Sequence, residues 1–86
     1  MPRALTLKRT VVPHPERKRY VERLALRRDY YRRANCDFRV FEEAGLAGAF
    51  IELTEAADAA ALAAAHASAP DAVFDAARVY KEVEIQ

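Results

Sequence analysis

The sequence predicts an α+β domain of βαββαβ order, with two helices on one face of a four-stranded antiparallel sheet. Alternating apolar and β-branched segments stand near the start (RALTLKRTVV), in the middle (CDFRVFEE and GAFIEL) and near the end (VYKEVEI). Two segments between them, PERKRYVERLALRRDYYRRA and EAADAAALAAAHAS, have helical composition and spacing. No internal repeat or long linker interrupts the 86 residues, so residues 1–86 are expected to form a single domain.

Each element has its own signal. Residues 3 to 12 read as a strand that stops at Pro13. The first helix starts at Pro15, where a missing N–H costs nothing, and Glu16 suits the positive end of its dipole. It is expected to reach Ala34 before Asn35, burying Val21, Leu24, the stem of Arg28 and Tyr31. Cys36 to Glu43 and Gly48 to Leu53 read as strands joined by a turn at Ala44 to Ala47. The second helix follows, with Thr54 or Asp58 as its N-cap and Pro70 as its stop. Asp71 to Ala77 adds a short helical turn carrying Val73 and Phe74, and residues 79 to 85 form the last strand.

The middle hairpin decides what the sheet presents. With Glu43 opposite Gly48, Val40 faces Ile51 and Phe38 faces Leu53 on the side expected to meet the helices. Phe41 then faces Phe50, and Arg39 faces Glu52, on the open side. A slip by one residue would set Val40 against Glu52 and Phe38 against Thr54, losing cross-strand pairs that contribute roughly 0.2–1 kcal/mol each. The first register is therefore expected. It leaves two phenylalanines on a face that solvent would normally keep polar, so the face needs a cover, and a second copy of the same sheet supplies one. A domain this small buries only about 60–65% of its unfolded surface, which also favours association.

Composition excludes several classes. The lone Cys36 permits no internal disulfide and is expected to be a small buried residue; no Cys/His spacing suits zinc, so no metal is expected. Nothing resembles a secretion signal or a membrane span, and a cytoplasmic location without membrane contact is expected. The net charge of +1 conceals a dipolar chain: residues 1–41 carry 12 bases and 4 acids, residues 42–86 carry 2 bases and 9 acids. The bases of the first helix are spread around it, and DFRVFEEAG lacks the aromatic pattern of an RNA-binding strand, so no nucleic-acid partner is expected.

The strand ending in VVPHP, the long charged helix, the NCDFRVFEE strand and GAFIELTEAADAAALAAAHAS together resemble the dimeric α+β barrel superfamily. These are ferredoxin-like proteins that include antibiotic-biosynthesis and heme-degrading monooxygenases. The resemblance is one of element order and covers nearly the whole chain. It implies a homodimer whose paired sheets enclose a small organic ligand, and, for an enzyme, cofactor-independent monooxygenase-like chemistry. The pocket Trp of many such enzymes has no counterpart here, because the chain contains no Trp.

The candidate residues follow. Arg39 would orient an anionic or carbonyl group, Glu52 would pair with it or move a proton, and Phe41 and Phe50 would wall the site. A structural Arg39–Glu52 ion pair is the alternative. Arg9 and Lys81 interrupt the apolar alternations of the outer strands, either reaching a barrel acid or turned outward by a bulge. His14, between two prolines, is a candidate proton shuttle or a loop histidine, and Tyr20, Tyr30, Tyr31 and Tyr80 are candidate donors to a ligand oxygen or half-buried core. No cofactor is expected; heme held by His66 is the alternative that the heme-degrading relatives imply, against a histidine buried on an alanine face. A non-enzymatic dimerisation or ligand-sensing module is the second reading of the whole chain.

Overall fold

The computed structural model describes residues 2–70 and 78–85. In chain order the elements are β1 (Ala4–Val11), a 3-10 turn (His14–Glu16), α1 (Arg17–Arg33), β2 (Asp37–Glu42), β3 (Ala49–Ala56), α2 (Ala59–Ala67) and β4 (Val79–Lys81). The strands form one antiparallel sheet in the order β2-β3-β1-β4, a ferredoxin-like topology. The expected helical turn at Asp71 to Ala77 lies outside the described residues.

Local chemistry explains the boundaries. Asn35, at φ 61°, ends α1 in the left-handed conformation, while the N–H groups of Asn35 and Cys36 bond the carbonyls of Arg32 and Tyr31. That is a Schellman cap, and it returns Cys36 to the core beside Tyr31. Asp58, one of the two expected caps, accepts a hydrogen bond from the Ala61 N–H at 2.8 Å to start α2. β3 runs on to Ala56 rather than stopping at Leu53, because Thr54, Glu55 and Ala56 pair with Thr6, Leu5 and Ala4. β4 is shorter than expected, ending at Lys81, with one further bond from the Glu82 N–H to the Arg3 carbonyl at 2.7 Å.

The expected hairpin register is overturned. Val40 stands opposite Glu52, Phe38 opposite Thr54 and Phe41 opposite Ile51, one residue away from the expected pairing. The cause is Gly48, which belongs to the turn and not to the strand. It adopts φ 90°, its N–H bonds the Glu42 carboxylate at 2.9 Å and its carbonyl accepts from the Val12 N–H at 2.7 Å. A Cβ there would lie 2.7 Å from the Val12 carbonyl oxygen, so only glycine fits without displacement. Glu43 consequently bonds Ala49, and the loop holds five residues instead of four.

That single residue exchanges the faces of β3. Phe50, Glu52, Thr54 and Ala56 lie on the helix side, and Ile51 and Leu53 pass to the open side. Phe38 and Val40 face the helices and Arg39 and Phe41 the open side, as expected. The stripe of α1 is rotated too: Tyr20, Leu24, Arg27 and Tyr31 turn inward, while Val21 and Arg28 are exposed. The core between helices and sheet is built largely of small residues, among them Ala4, Cys36, Ala56 and Ala65, with Tyr31 and Leu62 the large exceptions.

Candidate functional site

Two sets of side chains carry chemistry, one on each side of the sheet. Beneath the helices, Arg27 reaches down from α1 to Glu52 on β3, with Nε 3.1 Å from Oε1 and Nη2 3.0 Å from Oε2. Both residues are buried, at 7% and 5% exposure, and the Tyr20 hydroxyl donates to Oε2 at 2.9 Å. Bidentate geometry and a third donor are what a buried carboxylate requires. Burial and the neighbouring carboxylate raise the Tyr20 pKa, so the phenol stays protonated and remains a donor. Phe50 completes this corner, its ring 4.8 Å from that of Tyr20 and beneath the Arg17 guanidinium at 5.2 Å.

The same layer continues toward α2. His66 is buried, with Nε2 2.8 Å from the Thr6 hydroxyl and Nδ1 2.8 Å from the Tyr31 hydroxyl. A neutral imidazole has one donor and one acceptor, and a hydroxyl at each nitrogen satisfies both. Burial lowers the His66 pKa and pushes the Tyr31 phenol up to about 12, favouring neutral forms throughout. Phe38 stacks on the Tyr31 ring at 5.3 Å.

The open face has a different character. Read across the strands, its rows are Tyr80, Leu5, Glu55 and Asp37; then Leu7, Leu53 and Arg39; then Arg9, Ile51 and Phe41; then Val11 and Ala49. Leu7, Val11, Phe41, Ile51 and Tyr80 are 43%, 60%, 54%, 37% and 51% exposed. The acids cluster at one end, where the Arg3 guanidinium bonds Glu55 and lies 3.4 Å from Asp37. Arg39 stands in the next row, two residues along β2 from Asp37, and Arg9 one row further on, with the Arg39 guanidinium 6.0 Å from the Phe41 ring centroid.

The candidate residues named from the sequence are thus divided. Arg39, Phe41 and Tyr80 share the open face; Glu52, Phe50 and His66 lie on the helix side. No Arg39–Glu52 pair forms, because Arg39 faces Leu53 and Glu52 is held by Arg27 and Tyr20. Lys81 lies opposite Ala4 on the edge of the helix side, whereas Arg9 faces outward without a bulge. His14 is elsewhere, lining a recess of about 70 Å³ with Val12, Arg17, Ala47 and Gly48. Tyr20, a candidate donor to a ligand oxygen, donates to Glu52 instead, and Arg27, expected among the bases spread around the helix, turns inward to the same carboxylate; the signal for that face was the spacing of Tyr20, Leu24, Arg27 and Tyr31, as regular as the one expected. Among the described residues no group of three or more His, Cys, Asp or Glu is placed to hold a metal, and no helix is long and apolar enough to cross a membrane.

Fold and site together define a ferredoxin-like α+β domain with a polar layer under its helices and an apolar opposite face. No protein-family model, curated protein or solved structure matches the chain.

Proposed function

We propose that the protein is a homodimer that packs two open sheet faces together and binds a small organic molecule between them, as a ligand-binding or ligand-sensing module. The observation that carries this reading is the run of exposed Leu7, Val11, Phe41, Ile51 and Tyr80 across neighbouring strands. A solvated antiparallel face is ordinarily polar, and contiguous apolar rows of this kind mark interfaces or ligand surfaces. The occupant is a second copy for two reasons. The chain's own core is thin, with Leu62 its only large side chain under 2% exposed among the described residues, so the fold gains from further burial. A twofold contact also places the same apolar patch on both sides, so one surface serves as both halves of the interface. This is the assembly of the dimeric α+β barrels that the sequence resembles.

Binding is favoured over monooxygenase-like catalysis by the position of the proton-moving groups. Glu52 and His66 are tied to partners on the far side of the sheet, and the acids of the open face are gathered around Arg3. The lining of the proposed chamber is then Arg39, Phe41 and Tyr80, which orient and enclose. Heme held by His66 has little support, since both ring nitrogens already face hydroxyls.

Native mass spectrometry of the untagged protein tests the reading. A dimer is expected, and Phe41→Glu, which puts a charge into the apolar row, is expected to give a folded monomer. A wild-type monomer at tens of micromolar would sink the proposal.

A further inference from the structure

Resting on the reading of the open face as the ligand surface, we infer that the ligand is an organic anion with an apolar body, gripped by Arg9 and Arg39. Arg9 on β1 stands opposite Ile51, and Arg39 on β2 stands opposite Leu53, so the two arginines flank β3 from either side. Two strand spacings separate them laterally, about 10 Å, and one pleat repeat, about 7 Å, separates them along the strands. Arginine side chains reach far enough to converge over the floor made by Ile51 and Leu53.

Charge accounting indicates what they converge on. Within the described residues neither Arg9 nor Arg39 has a carboxylate at ion-pair distance; the only contact of this kind is that of Arg39 with the Phe41 ring. The nearest open-face acids, Asp37 and Glu55, occupy the row next to Arg39 but are engaged by Arg3, and Glu82 adds its field to the same cluster. Guanidiniums enclosed between two apolar sheets without a counter-charge would each cost several kcal/mol. An anion supplies that charge, and the planar guanidinium fork suits a carboxylate, sulfonate or phosphate oxygen pair. Ile51, Leu53 and Phe41 supply apolar contact for the rest of the molecule, with Phe41 offering a ring face beside the Arg39 charge.

The test uses 2-naphthoate as probe and 2-naphthamide as its neutral counterpart, titrated into the full chain by calorimetry, with native mass spectrometry run on the same samples. Naphthoate is expected to bind at least about tenfold more tightly than naphthamide, and Arg39→Gln or Arg9→Gln to lose about tenfold in naphthoate affinity with the dimer mass unchanged. Equal binding of acid and amide, or arginine variants that bind naphthoate as the wild type does, would overturn the inference. Dissociation of the dimer in the arginine variants would also overturn it, assigning the two cations to carboxylates of the second copy. A monomeric wild type that binds naphthoate through both arginines would uphold the anion site and remove only the enclosing dimer.

Discussion

At the scale of single residues, the buried Arg27–Glu52–Tyr20 group is the most consequential. Glu52→Gln leaves a buried guanidinium without its counter-charge, and a loss of about 3 kcal/mol in unfolding free energy is expected from urea denaturation. An unchanged midpoint would mean that the pair does not form. His66 makes a pH-dependent contribution whose sign is fixed by its lowered pKa. The unfolded imidazole titrates near 6.5 and binds more protons than the folded one just below that value, so stability is complete above about pH 6.5 and falls as the pH drops through the folded pKa. His66→Gln should flatten the stability profile just below about pH 6.5. Acidic loss from Glu42, held down to about 2 by Arg17 and the Gly48 N–H, belongs to a separate window below the ordinary carboxylate range. Urea midpoints of wild type and His66→Gln across pH 2 to 8 separate the two contributions.

Among the elements, the hairpin decides most. Gly48→Ala is expected to cost about 2 kcal/mol or more, combining a left-handed backbone with the approach of its Cβ to the Val12 carbonyl, whereas Gly45→Ala, with nothing within 4 Å, should leave the melting temperature nearly unchanged. Similar losses in both variants would mean that the turn is not anchored through Val12. Much of the element level was legible in the chain: the βαββαβ order, the stop at Asn35 and the Asp58 cap follow from local chemistry. The register and the face of α1 were not. Complementary cross-strand pairs, Arg39 with Glu52 among them, favour the other register, and the stripe of Val21, Leu24, the stem of Arg28 and Tyr31 is as regular as the one that turns inward. In the fold Glu52 points inward because Arg27 and Tyr20 descend to meet it, a three-dimensional compensation that no comparison of neighbouring strands contains.

For the whole molecule, the lesson concerns what a two-sided sheet needs. Its helix side is closed by a polar layer whose buried side-chain atoms all have partners among the described residues, while its other side carries five large apolar side chains in the open. An apolar open face was readable from the hairpin alone and survives the change of register, since Ile51 and Leu53 replace Phe50 beside Phe41 and the leucines of β1 join them. A protein stabilised by a second copy should melt at a temperature that rises with its concentration. Scanning calorimetry over a hundredfold concentration range checks this, and a constant melting temperature would count against the proposed assembly.

The five-residue loop before β3 acts as a parity setting for the entire sheet. Side chains alternate with period two, so an insertion or deletion of two residues there preserves which surface of the hairpin is greasy and which is charged. A change of one does not: with β3 locked to β1, it would turn Phe38 and Val40 outward and drive Arg39 and Phe41 under the helices. In descendants of this chain, loop length at this position should therefore vary in steps of two, and an odd step would mark a lineage that has given up one of its two surfaces.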